Sequence, residues 1–397
     1  MLSLSLGLPE FKVLNHEEQD HIIIAKVEKN TTGERCPFCG FMTSTVHDRR
    51  TRKVRDLTML NKSLYLFIKV KRYRCHNCLE VFSETYESVY QGCHQTIRLR
   101  EYLYQMYLDT TIQYVSQKHQ IPYSTLERIF YSVAKEKEME HQKQIDRERD
   151  TEDLVISLDE VSVKKGHTYE TVLMDMKKGC ILGMIHERTT ESTKQLFDLK
   201  IASPDAVKTV VVDMWDPFHK AIKSAFPMAT IVVDKYHVVQ KVIQALDQVR
   251  KQYPQLKKER YTLLKGNEKL SEKQQAGLEW MVEEYPGLAL AYYMKETFRE
   301  FYQTSDYDVA LDLLEEWIEY ARASPLPSFH KVATTLKNWK AEILQYFLSP
   351  YTNGRTEGTN HKIKNIKRRA YGYRKLERFR LRVFLECTGE LYKEKAA

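Results

Sequence analysis

Asp153-Leu-Val-Ile-Ser-Leu-Asp159-Glu-Val-Ser-Val163 and Val207-Lys-Thr-Val-Val-Val-Asp213 decide how this 397-residue chain is built. Both are short, β-branched and nearly continuous in apolar residues, as strands buried on both faces of a sheet should be. Each apolar run ends in an aspartate. Between them, residues 168–187 (TYETVLMDMKKGCILGMIHE) form two apolar runs around Lys177-Lys178-Gly179, which predicts a hairpin. Glu191 to Leu199 fits a helix. Beyond Asp213, DPFHKAIKSAF (216–226) predicts a helix leading into another buried run, Thr230 to Val233. The order is a three-stranded meander, then helix, strand, helix, strand, in a mixed α/β domain.

Working outward, the pattern after Tyr236 becomes helical only. Val239, Val242, Ile243, Leu246 and Val249 repeat at helical spacing, and amphipathic stretches continue to Ser349, broken at Pro254, Pro286 and Pro325–Pro327. A separate helical layer follows, with Trp280, Tyr292, Tyr293, Trp317 and Trp339 read as core. Upstream, residues 96–150 are helical and end in AKEKEMEHQKQIDRERD, a solvated helix end or linker. Residues 11–28 read as two short strands around an acidic turn. A hydrophobic fraction of 42% supports real cores, and the length suggests two or three domains. No run of eighteen apolar residues occurs, and the first residues lack a secretory pattern, so a soluble cytoplasmic protein is expected. The net charge of +8 is a mild basic bias whose location matters more than its size.

Seven cysteines are too sparse for a disulfide framework, and four of them form two pairs, Cys36-Pro-Phe-Cys39 and Cys75-His-Asn-Cys78. Two residues between cysteines let both thiolates reach one tetrahedral ion, and four thiolates leave no open position. The pairs therefore predict a structural zinc site, although the gap between them exceeds the usual ribbon spacing. Cys93, Cys180 and Cys387 read as small core residues. Between the pairs lie the base-rich runs RRTRKVR (49–55) and KVKRYR (69–74). These are either a solvated loop or a phosphate-contacting surface, and with zinc knuckles beside them Arg49, Arg50, Arg52 and Lys53 are candidate DNA contacts.

Thr111 to Phe130 has the shape of a helix, a short turn and a second helix, with Ile112 and Val115 facing Ile121, Leu126 and Ile129. Ser124 followed by Glu127 reads as a capping box that starts the second helix. In the DNA-reading version of this motif, Tyr123, Thr125 and Arg128 would meet the bases. Any two-helix corner shows the same pattern, so the zinc module upstream is what favours the DNA-binding alternative.

Asp159 and Asp213 each place a carboxylate just past a buried strand, where ligands collect in α/β sheets. One such aspartate is ordinarily a turn or helix cap. Two in one sheet, with a third acid downstream, suggest a site for Mg²⁺. The third is Glu357 in NGRTEGTNHKIKNIKRRAYGYR (353–374), where Glu357, Asn360, His361, Lys364 and Arg368 share one helical face. A carboxylate beside a column of bases that continues to Arg374 fits a metal site with DNA backbone running away from it. Asp234, ending a further strand, and His237 form either an auxiliary acid and phosphate-orienting pair or a strand-end cap with a packed histidine.

The knuckles with KRYRCHNC, the strand LDEVSVKKGH, VVDMWDPF, VVDKYHVV and the 353–374 stretch together resemble bacterial insertion-sequence transposases of the ISL-three family. The resemblance covers nearly the whole chain and is weakest in residues 240–350. It implies a multidomain α/β protein: a zinc-binding β module (1–92), a helix-turn-helix domain with a linker helix (93–150), and a ribonuclease-H-like mixed sheet (151–240 and 350–397) interrupted by a helical insertion (241–349). It further implies an Asp-Asp-Glu triad at Asp159, Asp213 and Glu357, two catalytic Mg²⁺ (Mn²⁺ as a substitute), structural Zn²⁺, and double-stranded DNA as partner, both transposon terminal inverted repeats and target. A homodimer or larger assembly at the bacterial nucleoid follows from the need to join two ends. The rival readings are a non-catalytic DNA-binding regulator derived from a transposase and a structure-specific nuclease.

Overall fold

The computed structural model describes residues 6–148, 153–164, 168–349, 351 and 354–388. Arg149 and Asp150 of the charged run, Lys165–His167 of the LDEVSVKKGH stretch and Asn353 of the basic motif lie outside the described residues. Two compact units emerge, Met1–Glu140 and His141–Ala397.

The first unit begins with β1 (Phe11–Glu18) and β2 (Ile22–Lys29), the two strands expected around an acidic turn. Strands β3 (Glu34–Arg35) and β4 (Met42–Thr43) flank the first knuckle, and β5 (Val46–Arg55), β6 (Ser63–Arg74) and β7 (Val81–Ser83) complete the module. The sheet order is β1-β2-β6-β5 with β7 on β6; β2 and β6 are parallel and the other pairs antiparallel. The base-rich run is therefore strand β5 and not a loop. Its alternation puts Val54 into a core with Leu64, Leu66 and Ile68, while Arg49, Thr51 and Lys53 face outward.

Helices α1 (Ile97–Asp109), α2 (Ile112–His119) and α3 (Tyr123–Glu148) follow. Thr96 and Thr111 accept from backbone N–H groups three residues on, capping α1 and α2. Ile112, Val115, Ile121, Leu126 and Ile129 are all buried between α1, α2 and the start of α3, as the helix–turn–helix spacing predicts. The second helix starts two residues earlier than a Ser124 cap would place it. Helix α3 already begins at Tyr123, because the carbonyl of Pro122 accepts from Thr125 and Leu126 and leaves Ser124 inside the first turn.

In the second unit, β8 (Leu154–Lys164), β9 (Thr168–Asp175) and β10 (Cys180–His186) form the antiparallel meander, with Gly179 supplying the left-handed turn residue (φ +72°). Helix α4 (Thr190–Lys200), β11 (Val207–Val212), α5 (Asp216–Ala225) and β12 (Thr230–Val233) complete the sheet, ordered β10-β9-β8-β11-β12. Strands β8, β11 and β12 are parallel to one another. Helices α6 (Lys235–Arg250), α7 (Arg260–Leu264), α8 (Glu272–Glu284), α9 (Pro286–Phe301), α10 (Tyr307–Ala323), α11 (Pro327–Asn338) and α12 (Lys340–Leu348) build a second core on Val242, Leu246, Phe298, Leu314 and Phe329. Pro286 and Pro327 open α9 and α11, where a missing N–H costs nothing. Tyr292, Trp317 and Trp339 are buried there, but Trp280 and Tyr293 are more than half exposed, contrary to expectation. Cys180 is fully buried, whereas Cys93 and Cys387 are only partly so.

Helices α13 (Gly354–Arg369) and α14 (Leu376–Cys387) close the unit over the meander, where Ile363, Ile366, Phe379 and Val383 pack against Val161, Val172 and Met174. None of the helices among the described residues is long and apolar enough to cross a membrane.

Candidate active site and zinc centre

The parallel pairing of β8 with β11 ends at Ser157–Val211, so Asp159 stands just past it, on the C-terminal side. Asp213 and Asp234 directly follow the last residues of β11 and β12. All three carboxylates therefore gather at one edge of the sheet. A ligand atom from each of Asp159, Asp213 and His237 lies within 4.8 Å of the others. His237 is in the first turn of α6 and reaches back to Asp213, Nδ1 to Oδ2 at 3.1 Å, with Nε2 3.9 Å from Asp234 Oδ2. Asp234 holds the N-cap position of α6, yet its carboxylate makes no capping bond.

Glu357 lies in the first turn of α13, which two contacts tie to β8: Thr356 Oγ1 to Ser157 Oγ at 2.9 Å, and Asn360 Nδ2 donating to Asp159 Oδ2 at 2.5 Å. It is close enough for its charge to act on His237, but it is not part of the 4.8 Å cluster. The expected common face of α13 is split. Asn360 is buried against Asp159, while His361, Lys364 and Arg368 are exposed, as is Arg374 beyond the helix.

The electrostatics of this edge are unfavourable to negative charge. Burial, reinforced by Glu160 and Asp234, pushes the Asp159 carboxyl up to about 6 although the Glu160 N–H and Asn360 oppose the rise. Burial together with the charges of Asp159 and Asp234 pushes Asp213 up to about 9. Among the described residues, Asp213 Oδ1 is buried without a hydrogen-bond partner. Burial lowers the His237 pKa below the usual imidazole value, against the opposite pull of Glu357, so the ring is neutral at pH 7.

Three neighbours had no sequence signal. Arg188 pairs with Glu160 through both carboxylate oxygens (2.8 and 2.7 Å), and its guanidinium sits 4.4 Å from the ring centres of both Tyr169 and Trp215. Trp215 in turn donates to the Arg188 carbonyl at 3.2 Å. These partners are far apart in the chain, so no local spacing could expose them.

In the first unit, both knuckles fold alike. Cys36 N–H donates to Phe41 O and Gly40 N–H to Cys36 O; Cys75 N–H donates to Glu80 O and Leu79 N–H to Cys75 O. The residue after each pair adopts the left-handed region, Gly40 at φ +74° and Leu79 at +62°. The sulfurs of Cys36 and Cys78 are 3.6 Å apart and those of Cys39 and Cys75 3.5 Å, with all four within 4.8 Å. Four sulfurs bound to one tetrahedral ion at ~2.3 Å stand roughly 3.8 Å from one another, so the set fits zinc. Hydrogen bonds from Asn77 and the Phe41 backbone draw the Cys39 thiol down to about 6, toward the thiolate a metal needs.

Of the candidate DNA contacts, Arg49, Arg50, Lys53, Tyr123 and Arg128 are exposed and Thr125 is half-buried. Arg52 is turned inward, donating to the carbonyls of Tyr90 and Cys93.

Comparison with known proteins identifies the class. A family model described as a transposase, that of the ISL3 group, matches residues 156–383, and one described as the zinc-finger of transposase IS204/IS1001/IS1096/IS1165 matches residues 32–78. The chain belongs to the ISL3 family of transposases. A Bordetella parapertussis protein, transposase for insertion sequence element IS1001, is 27% identical over 369 residues, 88% of this chain and 87% of its own length. The transposase for insertion sequence element IS1557, in two strains of Mycobacterium tuberculosis, is 27% identical over 252 residues, 55% of this chain and 56% of that protein. The function is DNA transposition, and the four clustered cysteines belong to a zinc ribbon whose metal is structural.

Proposed function

We propose that this transposase grips its transposon ends with the zinc ribbon and a helix-turn-helix formed by α2 and α3, and cuts and joins DNA in a ribonuclease-H-like unit. Residues 1–92 are then the zinc module, 93–150 the helix-turn-helix with its linker helix, 151–240 and 350–397 the two parts of the catalytic core, and 241–349 an insertion. The order β10-β9-β8-β11-β12, three strands antiparallel and three parallel around the shared β8, supports the ribonuclease-H-like assignment. Asp159, Asp213 and Glu357 are the catalytic acids, with Asp234 and His237 auxiliary.

The observation that carries this reading is the convergence of Asp159, Asp213 and His237, a ligand atom of each within 4.8 Å of the others, at an edge where buried Asp159 and partly buried Asp213 resist ionisation. Such oxygens, one of them lacking any partner among the described residues, are a donor set that a hard divalent cation satisfies. Asp159, Asp213 and Glu357 would hold two Mg²⁺, with Mn²⁺ as a substitute. When bound, such ions activate the attacking water or 3′-hydroxyl and neutralise the leaving oxygen of a phosphodiester. The protein's own groups prepare that chemistry. The Glu160 N–H and Asn360 fix the two oxygens of Asp159, and neutral His237 holds Asp213. Exposed His361, Lys364, Arg368 and Arg374 guide the DNA backbone away from the acids.

The substrates are terminal inverted repeats and target duplex in the bacterial nucleoid, and joining two ends requires a homodimer or larger assembly. The test is Mg²⁺-dependent cutting of end-containing DNA by wild type and by Asp159→Asn, Asp213→Asn and Glu357→Gln. Each variant should bind ends and fail to cut. Wild-type cutting by Glu357→Gln would remove Glu357 from the triad and put Asp234 in its place.

A further inference from the structure

A second concentration of positive charge lies far from the acids in sequence, on the outer face of the zinc-ribbon sheet. The inner face of β5 and β6 is sealed by Val54, Leu64, Leu66 and Ile68, all at most 1% exposed. On the outer face the register sets Arg49 opposite Lys71, Thr51 opposite Lys69, Lys53 opposite Phe67 and Arg55 opposite Tyr65. Lys71 turns its ammonium to the carbonyls of Lys29 and Thr31, which leaves Arg49, Lys53 and Lys69 as the exposed cations of this face. Lys53 and Lys69 are both exposed. They are diagonal neighbours with Cβ atoms roughly 7–8 Å apart.

This face runs into the α2–α3 corner without a break. Arg55, at the end of β5, donates to the His119 carbonyl at 2.6 Å and the Gln120 carbonyl at 3.3 Å, the C-terminal and negative end of α2. Its backbone is laced to the segment before α1, accepting from Thr96 N–H and donating to His94 O. Where the two meet, an open notch of about 320 Å³ is lined by Lys53, Arg55, Tyr65, His94, Gln120 and Thr125. Thr125 belongs to the first turn of α3, so the base-reading turn and the cationic strand open onto one hollow.

We propose that the outer face of β5 and β6 and the first turn of α3 are one binding surface for duplex DNA: α3 meets base edges while the flanking phosphates run across Lys53 and Lys69, with Arg55 stapling the two parts. This rests on the reading of α2 and α3 as a DNA-reading pair. The occupant is a duplex backbone and not unpaired bases, because the rings of Tyr65 and Phe67 are half-buried and Tyr65 is covered by Lys53 Nζ at 4.1 Å. What the face offers outward is cations.

The test uses full-length, zinc-loaded protein, a duplex carrying the element's own terminus and a scrambled duplex of equal length, across a salt series. Lys53→Glu with Lys69→Glu should bind the terminal duplex at least tenfold more weakly and flatten the log–log salt slope by about two. Lys53→Gln with Lys69→Gln should lose the same slope with a smaller loss of affinity. Both should keep their zinc and melting temperature, since the positions are exposed. Lys257→Glu with Lys258→Glu, exposed in the other unit, changes net charge equally and should leave binding intact. If Arg128→Ala weakens end binding while both Lys53/Lys69 variants match wild type, the shared surface is refuted and the α2–α3 reading survives. Equal loss in the Lys257/Lys258 control reduces the effect to net charge and also refutes it. If Arg128→Ala and the Lys53/Lys69 variants alike leave end binding unchanged, the underlying reading falls with it.

Discussion

Replacing Asp213 by asparagine keeps the side chain's size and removes an ionisable carboxyl from an edge where Asp159, Asp234 and Glu160 already stand. The Asp159 carboxyl is pushed from 3.8 to about 6 and that of Asp213 to about 9. At about 1.4 kcal/mol per pKa unit, the Asp159 displacement alone is worth about 3 kcal/mol, and that of Asp213 more. The sign follows from the direction. A carboxyl whose pKa is higher in the folded protein than in the unfolded chain ionises more easily when unfolded, so it costs stability above pH ~4 and the cost grows until the folded pKa is passed. Asp213→Asn removes its own cost and leaves that of Asp159, which comes from burial, Glu160 and Asp234. Metal-free variant at pH 8 should therefore exceed wild type by at least about 3 kcal/mol, or roughly 6–12 °C for a unit of this size. The assay is thermal and urea unfolding in chelator from pH 4 to 8.5, followed by a Mg²⁺ titration at pH 8. The advantage should shrink on acidification and nearly vanish at pH 4. Added Mg²⁺ should raise wild type, by mass action, more than the variant. Equal melting temperatures in chelator at pH 8, or an advantage independent of pH, would refute the argument that burial and the neighbouring acids suppress ionisation of Asp213.

Three further outcomes are expected. Cys75→Ser should release one equivalent of Zn²⁺ by elemental analysis and unfold the ribbon from β3 to β7, because here metal binding is folding energy; a variant that keeps its zinc would break the four-sulfur site. Asn360→Ala, which frees Asp159 Oδ2, should lower Mg²⁺-dependent cutting about ten- to hundredfold while end binding persists, and unchanged cutting would make that hydrogen bond ornamental. His237→Ala should weaken Mn²⁺ binding to the free protein in calorimetry, whereas Glu357→Gln should act mainly on cutting, since among the described residues His237 has a ligand atom within 4.8 Å of both aspartates and Glu357 does not.

Period and composition were enough for much of the second unit. Buried parallel strands announce themselves as short β-branched runs, and an aspartate closing such a run has nowhere to go but the sheet's edge, which made Asp159, Asp213 and Asp234 visible. What stayed hidden depends on partners far along the chain. Arg52 and Lys53 look alike in RRTRKVR, but strand alternation turns one toward the carbonyls of Tyr90 and Cys93 and the other outward. The Ser124–Glu127 signal misplaced the start of α3, because the Pro122 carbonyl opens the helix two residues earlier, at Tyr123. The Glu160–Arg188 pair and its two rings join four separate segments, so no short window of sequence contains them.

Glu357, the proposed third acid, is harder to read than the two aspartates. Its helix is fixed by neighbours on either side of it, Thr356 on Ser157 and Asn360 on Asp159, and below it by Ile363 and Ile366 in the meander core. The backbone at 357 is therefore already positioned beside the sheet edge, and only the side chain remains apart from the cluster. Keeping a further carboxylate apart from the aspartates limits charge repulsion at this edge. Burial and the neighbouring acids Glu160 and Asp234 already hold both aspartates above the ordinary range, and a further carboxylate brought among them would add repulsion. A divalent cation reverses the balance, because each oxygen then gains more from the ion than it loses to its neighbours. On the proposed assignment, the rigid part of the site is the aspartate pair with Asn360 and His237, and Glu357 is the acid whose approach depends on the ions it helps to hold.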